Sequence, residues 1–415
     1  MSTREAEPVP ALSPDPPAPA EPRQWGNIIT LSATILCTLT FVFSWWRIAS
    51  NYLRHLGAGE GLIGWYFLLF QMANRLPGVV GGWISDRVGR KWMIVLGTFF
   101  MGVGFIGVAY ARTPALLTAA ICFTWIAGAV QHPSLLSIQA ESVPAARRGV
   151  AIATVETFAM IGVMLGPFLE AKVFEWSKSI DSTWRLMALS TSAIYLLVCV
   201  ARLLFLRETD RRRHERTPFR PDWQRLSIPL AISVCFVGAM LVTIDGPAVP
   251  LYIVDVTQGN EATVGYVNFF GGALAILGVL LGGWLADRWG ATHVMAVSAG
   301  ATALCFLPFA FPGTLHLHQV LLAASFLPIE AFVIANAKLI ASIGPPGRRT
   351  LYVGMVTTTT GLVSSWGVVA TQYLYKGPNK AAPMLAAIAL SLISLVLTIR
   401  LLRLAGPGRD PGHLA

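Results

Sequence analysis

Charge is scarce in this sequence. Only 13% of its 415 residues are Asp, Glu, Lys or Arg, while 54% are hydrophobic; soluble domains run near a quarter charged. The deficit excludes an ordinary solvated chain and marks a protein that crosses a bilayer repeatedly. Strand-like alternation is also lacking. The apolar runs are continuous over about 20 residues, the length of a helix spanning hydrocarbon, so a membrane barrel is excluded. No HExxH, GxSxG or P-loop is present, which leaves no basis for an enzyme or for direct drive by ATP. The five cysteines (Cys37, Cys122, Cys199, Cys235, Cys305) fall singly inside apolar runs. Without CxxC or Cys/His spacing they read as small packing residues, and neither a metal nor a cofactor is expected. The first residues lack the charged start and apolar core of a signal peptide; their Pro, Ala and Glu content predicts a disordered arm over 1–24.

What is there is a regular series of apolar runs. Charges and Pro/Gly breaks divide it into twelve spans, at 27–49, 61–83, 92–111, 115–138, 149–171 and 184–206, then 228–254, 262–284, 292–311, 318–341, 350–374 and 382–402. Two six-helix bundles follow, 25–206 and 228–405, joined by a charged linker over 207–227 and closed by a tail over 406–415. Most of the 31 lysines and arginines fall on the side of the linker and both termini. The positive-inside bias therefore makes that side cytoplasmic, in the plasma (inner) membrane. Topology thus accounts for the net charge of +10, and no nucleic-acid partner is expected.

The most specific stretch lies between the second and third spans: Gly82-Trp83-Ile84-Ser85-Asp86-Arg87-Val88-Gly89-Arg90-Lys91. So many charges cannot lie in hydrocarbon, so this is a short turn at the cytoplasmic surface. A second copy follows 201 residues later as Gly283-Trp284-Leu285-Ala286-Asp287-Arg288-Trp289-Gly290. At the same offset Glu60 and Gly64 match Glu261 and Gly265, and Pro144, Arg147 and Arg148 match Pro345, Arg348 and Arg349. Three anchors at one offset identify parallel repeats, which places a pathway along the interface of the two halves.

These residues resemble the major facilitator superfamily. The first copy is similar to the family's signature loop after the second helix; the second keeps Gly283, Asp287, Arg288 and Gly290 but has Ala291-Thr292 in place of the basic pair. The resemblance covers about 25–405 and implies an all-α membrane fold of twelve helices, alternating access, and a cavity lined by the first, fourth, seventh and tenth helices. With the repeat, it also implies a cytoplasmic latch in which Asp86 faces Arg348 and Arg349 while Asp287 faces Arg147 and Arg148. A carboxylate at a helix start gains from the helix dipole and from charge-assisted bonds. The alternative is that these charges only fix topology. Gly162-Val163-Met164-Leu165-Gly166-Pro167 in the fifth helix is similar to the GxxxGP motif of proton-coupled antiporters, although Phe168-Leu169-Glu170 follows where further glycines belong. Its plainer reading is close packing through small residues. The arginine that the family carries in its fourth helix is missing from Thr124–His132.

Ionisable residues inside spans are costly and so are candidates for function. Asp245 precedes Gly246-Pro247 in the seventh helix, where a break frees backbone groups around the carboxylate. Arg47 lies at a similar depth in the first, and either pairs with Asp245 across the halves or snorkels to the interface. Glu330, mid-way along the tenth helix, suits a proton carrier, a contact for a cationic substrate, or a structural role. Arg75, His132 and Glu156 form a candidate cluster in the first half, with a proton relay and an Arg75–Glu156 ion pair as its two readings. Glu141 is assigned to the cytoplasmic charges. Gln71, Asn74, Gln131, Asn268 and Asn336 offer neutral hydrogen-bonding groups, and Trp45 or Trp125 a face on which a ligand could stack.

The sequence thus reads as a monomeric proton-coupled antiporter that exports a small organic molecule, with the bilayer and protons as its other partners. Uptake of a polar nutrient or organic acid, by symport or facilitated diffusion, is the alternative. A membrane sensor or assembly factor that binds without transporting is the alternative of another class.

Overall fold

The computed structural model describes residues 24–144, 148–209, 223–311, 315–343 and 349–405. The described residues form helices and connecting turns only. The first half runs α1 (Trp25–Trp46), α2 (Ala49–His55), α3 (Glu60–Arg75), α4 (Pro77–Val88), α5 (Arg90–Tyr110), α6 (Pro114–Glu141), α7 (Arg148–Ser177) and α8 (Ile180–Phe205). The second runs α9 (Trp223–Val242), α10 (Ala248–Asp255), α11 (Glu261–Trp289), α12 (Ala291–Phe306), α13 (Leu315–Ile343), α14 (Arg349–Lys376) and α15 (Ala382–Ala405), with a 3₁₀ turn at Leu307–Ala310 after α12.

Three of the twelve spans are each made of two helices: α1 with α2, α3 with α4, and α9 with α10. The chain is an integral membrane protein of twelve spans in two pseudo-symmetric six-helix bundles. The arm over 1–24 lies outside the described residues apart from Gln24, as do most of the linker and the tail.

Local chemistry sets the ends of these helices. Thr113, Ser179 and Asn260 accept from backbone N–H groups at the starts of α6, α8 and α11, and Asn260 with Thr263 completes a capping box. At the other end of the bundle, Gly89 between α4 and α5 has φ 113° and Gly290 between α11 and α12 has φ 88°. A side chain is strained there, which explains why both copies of the signature keep this glycine. Glu208, at the start of the linker, accepts from the N–H groups of Arg90 and Lys91 at 2.8 and 3.2 Å. It thereby caps α5 with a carboxylate.

The core is not symmetric along the bundle axis. At the end remote from the linker a single apolar cluster joins the halves, from Val42, Trp45 and Phe105 to Tyr252, Val264 and Tyr375. At the linker end the core divides. Ile28, Leu31, Ile94 and Ile138 pack within the first half, and Phe236, Met295, Phe332 and Leu339 within the second. The bundles are thus sealed together at the remote end.

Candidate functional site

Two helix breaks meet between the halves. The first span is interrupted at Arg47 and Ile48, between α1 and α2, and the seventh over 243–247, between α9 and α10. In the second break Asp245 N–H donates to the Met240 carbonyl at 3.1 Å, leaving the Ile244 carbonyl outside the helical ladder. Arg47 fills that vacancy: its Nη1 donates to Ile244 O at 2.6 Å and to Asp245 Oδ1 at 3.0 Å. The guanidinium lies 5.4 Å from the Phe43 ring and 6.0 Å from the Phe326 ring, the second contact again crossing the halves. Of the two alternatives for Arg47, the geometry is that of the pair, not of snorkelling. Arg47 is 8% exposed and Asp245 39% exposed, so the acid keeps access to open space while the base is enclosed.

Glu330 on α13 is partly exposed and makes no ion pair among the described residues; the charges acting on it are those of Asp245 and Arg47. Arg75 ends α3, and its guanidinium lies across the second half against Gly361 of α14, where any added side chain would collide with it. Asp245 is the charge that acts on Arg75. The centre therefore holds two bases from the first half and two acids from the second.

The cluster of Arg75 with His132 and Glu156 does not form. Arg75 turns toward α14 because the small Gly361 and the acidic centre accommodate it; His132 and Glu156 are exposed and make no ion pair with it. Gln131 is buried away from the centre, accepting from Thr98 at 3.1 Å and donating to the Met101 sulfur at 3.1 Å. Asn268 donates to its own helix at Val264 O, and Asn336 accepts from Ser233. Trp45 is 0% exposed, packed edge-on against Phe105 and Trp184. It belongs to the core and offers no face to a ligand. Trp125 packs against Trp46 and Phe70.

The glycines of the fifth span serve close packing. Added Cβ atoms on Gly162 and Gly166 would lie 2.8 Å from Leu36 O and 2.5 Å from Thr40 O, so α7 rests on the backbone of α1. Pro167 stays within a continuous α7 and turns its carbonyl toward Gly265 of α11.

At the linker end the latch falls largely outside the described residues: Arg147 and Arg348 entirely, and the side chains of Asp86, Arg148 and Arg349. Gly82 and Arg87 lie on α4, the latter exposed. Arg90 donates to Ser85 and pairs with Glu141 at 3.4 Å, which places Glu141 in the charge network assigned to it. Asp287 pairs with Lys338 of its own half at 2.5 Å, and Arg288 lies over the Trp284 ring.

Sequence reasoning missed the ties at the remote end. Arg54 pairs with Asp255 at 2.6 Å, Lys380 with Glu60 at 3.2 Å, and Tyr266 donates to Glu175 at 2.5 Å, each across the halves. Arg54 and Asp255 stand 201 residues apart, which is the repeat offset, so aligning the halves would have found them. Arg202, five residues before the linker, is 2% exposed inside the first half and donates to Thr34 and Thr98. Its position near the end of α8 does not by itself show that the side chain turns inward.

Known proteins share this architecture. The family model described as Major Facilitator Superfamily matches residues 29–329 and 246–413. The MFS transporter asaE of Aspergillus flavus is 27% identical over 391 residues, covering 87% of this chain and 83% of that protein. The multidrug resistance protein MdtH of Salmonella newport is 22% identical, covering 91% and 93%. The crystal structure of a bacterial homolog of the human lysosomal transporter Spinster, inward-facing and occupied, superposes with a TM-score of 0.70 at 16% identity, covering 92% of this chain and 98% of that one. With repeated six-helix halves, the paired signature turns and a family match across most of its length, this chain belongs to the Major Facilitator Superfamily.

Proposed function

We propose that the chain is a secondary transporter that works by alternating access and exports small organic molecules in exchange for protons. The observation that carries this reading is the charged centre, where Arg47 of one half bonds both the carboxylate and the freed carbonyl at the helix break of the other. Such a contact must be dismantled when the halves part at the remote end. A proton arriving at Asp245 weakens it by removing the negative charge, and Glu330 nearby offers a second carboxylate for which proton and substrate compete. Phe43, Phe326 and the largely apolar surroundings suit an organic cargo. The relative whose name records multidrug resistance supports export. In this reading the linker end faces the cytoplasm of the plasma membrane, the form described is closed to the outside, the protein acts as a monomer, and the proton gradient is the drive without a cofactor.

The test is transport in proteoliposomes carrying an imposed pH gradient and a trapped pH-sensitive dye, with a panel of fluorescent lipophilic compounds as probes. The expected result is compound-driven proton movement in wild type, lost in Glu330→Gln and in Asp245→Asn. Transport that ignores both the gradient and the two substitutions would overturn proton coupling. A thermal-shift screen of the same panel checks binding alone, since a bound ligand raises the melting temperature by mass action.

A further inference from the structure

Glu170 plays no part in that scheme. It lies on α7 just after the GxxxGP element, is 0% exposed, and neither carboxylate oxygen has a hydrogen-bond partner among the described residues. It faces the seam where α7 of one half packs on α11 of the other: a Cβ added to Gly265 would lie 2.7 Å from its Oε2. An ionised carboxylate left there without a donor is strongly disfavoured, and a neutral carboxyl much less so.

The surrounding charges give no relief. On α11 the like charge of Glu261 falls on Glu170, and Tyr266 donates to Glu175 instead. On α7 itself Lys172 is paired with Glu175 at 2.9 Å. Arg47, at the end of α1, is committed to Asp245; on α8, Asp181 pairs with His55 and Arg185 is exposed; His132 of α6 is exposed. None of them donates to Glu170. In the matching seam between α3 and α14 the equivalent position is Thr371, also 0% exposed, whose hydroxyl donates to Gly367 O at 2.6 Å. The unsatisfied carboxyl thus belongs to one seam only.

We propose that Glu170 is a proton-binding site of the α7–α11 seam, separate from Asp245 and Glu330, occupied while the seam is closed and emptied when it opens. The proton passes from the carboxyl oxygen to water as α7 and α11 separate, and the hydrated carboxylate then opposes closure. Acid on that side therefore favours the closed form, and the equilibrium moves toward the open form by up to about tenfold per pH unit as pH rises. The inference rests on alternating access but not on antiport or on the cargo.

The test uses the full chain in nanodiscs with its five native cysteines replaced by serine. Spin labels are attached through Trp176→Cys on α7 and Val320→Cys on α13, both exposed positions. Distances are read between about pH 5.5 and about pH 8.5, a range spanning perturbed carboxylate titration. Wild type should lengthen with rising pH, Glu170→Gln should lose that lengthening, and Glu170→Asp should keep it. Glu170→Gln that follows wild type overturns the proposal. So does a pH-insensitive wild type whose distance still lengthens when Arg54→Ala and Lys380→Ala are introduced, a result that leaves alternating access standing. A distance that moves under none of these changes overturns alternating access and this inference together.

Discussion

Arg47 and Asp245 were legible as single residues because a charge inside a span has few bland explanations, and because Gly246-Pro247 announced the break beside the acid. Their meeting needed the fold. Glu170 is the opposite case: the sequence showed it out of place in the fifth helix but not which face it occupies, and one helical position separates lipid from a seam between halves. Arg202 shows a related ambiguity, since five residues before the linker a long side chain can reach water or turn back into the bundle. A double-mutant cycle of Arg47→Met and Asp245→Asn, followed by thermal unfolding in detergent, should give a coupling of about 0.5–3 kcal/mol. Additive effects would show that the pair contributes no net attraction.

At the scale of elements, the spans could be read from apolar runs, and the caps and positive-φ glycines from local signals. The interruption at Arg47 and Ile48 could not, because neither proline nor glycine marks it; tertiary contacts with α10 and the second half set it there. The fifth helix illustrates how little room such contacts leave. Gly166→Ala places a methyl 2.5 Å from Thr40 O, so α1 and α7 must separate. We expect a loss of about 1–3 kcal/mol, seen as a lower melting temperature together with slower transport. Gly300→Ala on α12 is the control, since its nearest neighbour would be Leu395 at 3.8 Å. That change should leave the melting temperature unchanged or raise it by the helix-propensity gain of about 1 kcal/mol.

For the whole molecule, the twelve spans and the duplication were open to sequence reasoning, but the closed end was not. Which end is sealed depends on a balance of a few kcal/mol between two packings of the same chain, and composition does not reveal it. Here the joined apolar core and the pairs Arg54–Asp255 and Glu60–Lys380 hold the remote end. Both pairs are partly exposed, so each contributes up to about 1 kcal/mol. Removing both with Arg54→Ala and Lys380→Ala should raise the open population by up to about 30-fold. The measurement is the rate at which an impermeant maleimide, added on that side, labels Ala248→Cys, a position that is fully buried now. An unchanged rate would assign the seal to the apolar core alone.

The Arg54–Asp255 contact also bears on ancestry. Equivalent positions that touch across a pseudo-two-fold axis would carry the same residue in a dimer of identical half-chains, setting arginine against arginine or aspartate against aspartate. This pair can exist only in a chain whose halves are free to diverge. The 2.6 Å bond is therefore a mark of divergence after duplication, and a symmetrised chain built from either half alone would repel itself at that point.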